Sequence, residues 1–197
     1  MSTGGMDRYS PVELLELFQR AQALFTDRVD AVDPDQWEDE ALPGWTVADL
    51  VAHLVGEHLW APPLLAGEAS DEVQVPDDTA TLLGDDPFTG WETAADGSLA
   101  AFAEDDALMR TVHLQRGPTP ATQYILEMTS DLTVHSWDLA RATGGDPELD
   151  RELVTAALVL ADQLPDDGVP GFFDPPLAVP PGASAQTRLL ARFGRKD

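Results

Sequence analysis

The sequence predicts an all-α protein: a four-helix bundle carrying an extra helix, a long acidic loop and a proline-rich C-terminal arm. Three observations lead there. Apolar residues recur at helical spacing in several separate segments. Two of those segments open on a serine or threonine followed three residues later by an acid, the pattern of a capping box. No stretch alternates apolar and polar residues long enough to argue for a substantial sheet.

Each element has its own warrant. Ser10-Pro11-Val12-Glu13 supplies an N-cap, a proline at the first helical position and a capping-box glutamate. Leu14, Phe18, Ala21, Leu24 and Phe25 then follow at helical spacing, so a first helix is predicted from about Pro11 to Val29. Residues 30–44 are rich in acids and prolines and read as a solvated loop anchored by Trp37. Thr46 and Asp49 repeat the capping pattern, and Val47, Leu50, Val51, Leu54 and Val55 continue an apolar face. This second helix is expected to reach about Trp60 and to stop or kink at Pro62. Residues 68–86 contain seven acids and no base, which predicts a long surface loop. A third helix is predicted over about Trp91–Ala107, then a short extended segment at Thr111–Leu114 before a turn at Gly117-Pro118. Thr119-Pro120 opens a fourth helix through Ile125, Met128, Leu132 and Leu139 that Gly144 is placed to end. Asp146-Pro147 starts another, running to Leu164. The domain reading is a disordered N-terminus over 1–9, a helical bundle over 10–164, and an arm over 165–197 whose short helix, Ala185–Phe193, packs on the bundle.

Composition excludes whole classes of function. The chain has 197 residues with 36 acidic and 11 basic side chains, a formal charge of −25. Nucleic-acid binding needs a basic stripe that releases counterions, and none exists here. An anionic membrane surface is disfavoured for the same reason. There is no cysteine, which removes disulfides, thiolate zinc fingers, iron–sulfur clusters and a thiol nucleophile. No signal-peptide core and no 18-residue apolar run is present, so a cytoplasmic setting is expected.

The chemistry concentrates on two helices. Asp131 and His135 stand four residues apart on the fourth helix and share one face. His53 lies mid-way along the second helix among apolar neighbours. Two imidazoles and a carboxylate on facing helices are one way to build a metal site inside a bundle, and also a catalytic zinc set with a position left open. The alternatives are a satisfied core histidine and a surface polar pair. Zinc, nickel, iron(II) and manganese all accept this ligand set. Glu57, four residues after His53, is a fourth ligand, a general base or a helix-surface charge. Asp138 is an acceptor for the His135 ring N–H, a proton acceptor in catalysis, or a partner of Arg141. His58 is expected to face solvent, and His113 to be a loop histidine. Arg110, Arg116 and Arg141 are the cations available to meet a cofactor or an anionic substrate at the entrance.

Two motifs carry a resemblance. Gly44-Trp45-Thr46-Val47-Ala48-Asp49-Leu50-Val51-Ala52-His53-Leu54 and Val134-His135-Ser136-Trp137-Asp138-Leu139-Ala140-Arg141-Ala142-Thr143-Gly144 look like the paired signatures of the DinB-like family that includes the N-terminal domain of mycothiol-dependent maleylpyruvate isomerase. The ending Arg188-Leu189-Leu190-Ala191-Arg192-Phe193-Gly194-Arg195 resembles that of its short actinobacterial-type members. The resemblance implies a four-helix bundle holding a divalent metal, zinc or nickel, at His53, Asp131 and His135. The isomerase has glutamate at the position of Asp131 and many DinB-like relatives have histidine, so the shorter aspartate requires a closer helix approach. The proline-rich arm stands where that isomerase carries a full second domain.

The expected function is a metal-dependent thiol S-transferase or isomerase-like enzyme, in which the metal activates a small-molecule thiol such as mycothiol toward an electrophile. The rival readings are a metal-dependent hydrolase with Glu57 or Asp138 as base, and a non-catalytic metal-binding or interaction protein. The arm leaves open a homodimer in which it covers a neighbour's site.

Overall fold

The computed structural model describes residues 8–165 and 175–196. The helices are α1 (Pro11–Asp30), α2 (Val47–Leu65), α3 (Thr79–Leu83), α4 (Pro87–Phe102), α5 (Ala121–Thr143), α6 (Arg151–Ala161) and α7 (Ala185–Arg192). Two small antiparallel hairpins join them: β1 (Glu40–Leu42) with β2 (Trp45–Thr46), and β3 (Thr111–Leu114) with β4 (Gly117–Pro120). Helices α1, α2, α4 and α5 make the bundle, α2 lying against α4 and α1 against α5, while α6 packs on α5 and α7 on α6. Among the described residues no helix is long and apolar enough to cross a membrane.

Both capping boxes form. Ser10 and Glu13 exchange bonds at the start of α1, and Thr46 and Asp49 do so at the start of α2. These contacts are local, so the spacing of the residues dictates them. Phe18, Phe25, Leu50, Leu54, Trp91, Phe102, Ile125 and Leu132 fill the core. A second cluster joins Val134, Trp137, Leu149, Val154 and Ala157 to Leu189 and Leu190 of α7. Helix α5 is buried on nearly all sides, which makes it the central helix against which the others register.

The structure corrects several boundaries. The loop at 30–44 contains β1, which turns at Gly44 with φ +80° to pair with β2, and the Trp37 carbonyl accepts from the Ala48 N–H. Helix α2 passes through Pro62 and Pro63 to Leu65. The prolines fall in its last turn, and the carbonyls of Pro62 and Pro63 still accept from Ala66 and Glu68. The acidic loop is tied down by α3, by the Ser70 N–H donating to His113 O and by the Thr79 hydroxyl donating to Asp49. Helix α4 begins at Pro87, capped by Asp86, and ends at Phe102. The turn before β4 is at residues 115–116, and Gly117–Pro120 is strand. Helix α6 starts at Arg151 because Asp150 is its cap. Asp146 instead accepts from the Glu148 N–H in an isolated turn. Of the expected disordered N-terminus, residues 1–7 lie outside the described residues, as do 166–174 of the arm.

Candidate metal centre

Helix α2 presents His53 and α5 presents Asp131 and His135 across the bundle. His53 Nε2 is 3.3 Å from Asp131 Oδ2, and His135 Nε2 is 3.4 Å from Asp131 Oδ1. The imidazole rings stand edge to face, with centroids 5.4 Å apart. One ligand atom from each residue lies within 4.8 Å of the other two, and among the described residues this group of three stands alone as a candidate metal centre. The trio named from spacing is therefore brought together, with α2 packed on α5.

The donor set suits a divalent cation. Asp138 Oδ2 accepts from His135 Nδ1 at 2.8 Å, which fixes the ring and leaves Nε2 directed at Asp131. The Asp138 side chain is 1% exposed. Arg195 reaches it from beyond α7, donating from Nη2 at 2.8 Å and Nε at 3.2 Å. Burial works against the Asp138 charge, but His135 and Arg195 together hold its carboxyl below the usual aspartate value.

The electrostatics of the trio are tightly linked. Solvent reaches 38% of the Asp131 side chain, yet protein around it still disfavours its charge. The charges and hydrogen bonds of His135 and His53 overcome that penalty, so its carboxyl lies far below the ordinary range. Burial also opposes a charged His135, but Asp131 and Asp138 outweigh it and push the imidazole up to about 9. Without a cation, His135 holds the proton that a metal would displace.

The remaining expectations divide. Glu57 reaches solvent and is outside the group of three. Its carboxyl is nonetheless raised by the protein crowding it and by the neighbouring Asp131 and Glu127 charges. Of the readings given for Asp138, the structure shows the acceptor of the His135 ring N–H, with Arg195 on the same carboxylate. Arg141 is exposed and its guanidinium lies over the Trp137 ring, 5.6 Å from the centroid, so the partner of Asp138 is Arg195 and not Arg141. Arg116 pairs with Glu127, and Arg110 with Glu104 and the Leu65 carbonyl. His113 is exposed on β3.

His58 is a clear reversal. It is 1% exposed, its Nδ1–H donates to Leu54 O at 2.7 Å, and it stacks on Phe18 with Trp91 at its edge. Burial lowers its pKa to about 4, so it is a neutral core residue.

Sequence reasoning missed Arg195 and Trp45 as site residues. Both lie in the quoted motifs, but no spacing rule joins Arg195 to Asp138, 57 residues away. Trp45 packs edge to face on His53, centroids 5.3 Å apart. It also lines an open recess of about 340 Å³ with Asp49, Asp77, Thr79 and Leu82, and His53 forms one side of that recess.

Comparison with known proteins bears on the family and the fold. Residues 40–140 match the model of the mycothiol maleylpyruvate isomerase N-terminal domain family. An uncharacterised protein of Mycobacterium tuberculosis, found in two strains, is 31% identical over 147 residues, which span 74% of this chain and 76% of that protein. The crystal structure of the mycothiol-dependent maleylpyruvate isomerase superposes with a TM-score of 0.63 at 18% identity, covering 79% of this chain and 70% of that one. A mutant of that isomerase gives a TM-score of 0.62 at 17% identity over the same shares. At these identities the two crystal structures establish a shared fold.

Proposed function

This chain belongs to the mycothiol maleylpyruvate isomerase N-terminal domain family, and from that premise we propose that it is a metal-dependent enzyme that activates a small-molecule thiol of the mycothiol type toward an electrophile, as an S-transferase or isomerase-like protein. The observation that carries the reading is the convergence of His53 Nε2, Asp131 and His135 Nε2 within 4.8 Å, with the second nitrogen of His135 committed to Asp138. Two imidazoles and a carboxylate make a catalytic zinc set that leaves a position for a ligand, and zinc is the cation we propose.

His53, Asp131 and His135 would hold a divalent cation, which would supply a Lewis acid able to lower the pKa of a thiol. The chain's own groups do the rest. Asp131 is ionised over the whole physiological range. Asp138 and Arg195 hold the His135 ring in the tautomer that keeps Nε2 available. Glu57, with its raised carboxyl pKa, is the group we assign to take the thiol proton. The chain has no cysteine of its own to compete with the cosubstrate. A reducing, cytoplasmic setting suits this chemistry.

The test is metal content. Protein purified without added metal, measured by plasma mass spectrometry, is expected to carry about one equivalent of metal, as one three-ligand site predicts. The variants His53→Ala and His135→Ala are each expected to lose most of it. Stoichiometric metal in both variants would overturn the ligand assignment. With the cobalt-substituted protein, mycothiol is expected to change the visible spectrum, and an unchanged spectrum would overturn the thiol reading.

A further inference from the structure

The recess beside His53 has a chemical character of its own. Its walls carry two carboxylates, Asp49 and Asp77, and the exposed indole of Trp45. Among the described residues no arginine or lysine lines it. The arginines that approach the neighbouring parts of the bundle are engaged elsewhere: Arg116 with Glu127, Arg110 with Glu104, Arg141 over Trp137 and Arg195 with Asp138. Asp49 accepts from Thr46 and Thr79, but these donors are neutral and leave its negative charge in place. Asp77 is exposed at the rim. The chain as a whole adds to that field, with a formal charge of −25.

We propose that this recess receives the organic arm of the ligand bound at the His53–Asp131–His135 centre, and that it selects a neutral or cationic arm and rejects an anionic one. The inference rests on the thiol reading for the identity of the ligand, but its charge preference stands on the recess alone. An anion there meets the carboxylates of Asp49 and Asp77. A cation meets favourable charge.

Three thiols that share a mercaptoethyl group and differ in charge test the idea: thiocholine, 2-mercaptoethanol and 2-mercaptoethanesulfonate. Each is titrated against the cobalt-substituted protein, with dissociation constants corrected for the thiolate fraction at the working pH. The sulfonate is expected to bind about tenfold more weakly than the neutral thiol, and thiocholine at least as tightly as the neutral thiol. Asp77→Lys is expected to narrow the gap between thiocholine and the sulfonate severalfold. Equal or tighter binding of the sulfonate to the native protein would overturn the proposal.

A second measurement separates this proposal from the thiol reading. The Trp45 indole resonance, identified through Trp45→Phe, is followed by nuclear magnetic resonance in the metal-free protein with choline, ethylene glycol and isethionate. Choline is expected to shift it most and isethionate least. A silent cobalt spectrum with all three thiols overturns only the thiol reading. An indole that responds most to isethionate, or to none of the three probes, overturns the recess assignment.

Discussion

His135 has a carboxylate at each nitrogen, and the two carboxylates have different work. Asp131 is reached by solvent and points where a cation would sit, whereas Asp138 is sealed behind the ring with Arg195. Replacing Asp138 with asparagine keeps the shape but removes the anion that accepts from Nδ1. Asp138→Asn is expected to weaken metal affinity about 10- to 100-fold, read by competition with a chromogenic chelator, while far-UV circular dichroism stays unchanged. His58 gives a second residue-level prediction. Its imidazole has a pKa of about 4 in the folded protein against about 6.5 when unfolded. Above the unfolded value both states are neutral and nothing changes. Between about 6.5 and 4 only the unfolded chain takes up the proton, so stability falls as the pH drops through that window, by about 3 kcal/mol in total. In denaturant titrations at stepped pH, His58→Leu is expected to flatten that slope, and a variant as acid-sensitive as the native protein would show that another group controls it.

The elements differ in how far their own residues determine them. The starts of α1 and α2 were legible because a capping box closes within four residues. The start of α6 was misplaced because Asp146-Pro147 and Asp150 offer the same cap chemistry, and only packing decides which one a helix follows. The start of α4 was lost in the acidic run, where Asp86 and Pro87 read as loop. Two glycines of α4 now separate local from tertiary effects. A Cβ on Gly90 would lie 2.6 Å from the Leu83 carbonyl oxygen, whereas one on Gly97 would meet nothing within 4 Å. Gly90→Ala is therefore expected to destabilise by about 1–3 kcal/mol because backbone must shift. Gly97→Ala, on an exposed turn of the same helix, is expected to stabilise by about 0.5–1 kcal/mol. Chemical denaturation of the two variants checks the opposite signs.

The whole molecule is held together at its far end by the C-terminal arm. Leu189 and Leu190 are fully buried against α5 and α6, and Arg195 delivers its charge to Asp138. The arm thus couples global stability to the geometry of the site. Leu190→Ala is expected to cost about 2–5 kcal/mol with metal affinity in the folded protein little changed. Removing the chain from Ser184 onward is expected to lower the melting temperature and weaken metal binding together, since it also leaves the Asp138 charge buried without its arginine. Thermal melts with and without zinc distinguish the two. A truncated protein that binds zinc as tightly as the full chain would show that Arg195 has no part in holding His135.

By itself the sequence determined the helical bundle and its central pair of helices, because apolar periodicity and capping act between residues a turn apart. It also singled out His53, Asp131 and His135, since two of them share a helix face and the third sits at the apolar centre of another. Only the tertiary structure decided that His58 turns inward while Glu57 reaches solvent. It also brought Arg195 across 57 residues to the back of the site, and left the recess beside His53 without a cation. Each of these is settled by which surfaces meet when the helices and the arm close on one another. A charge on a distant segment has no position relative to the site until that closure has happened.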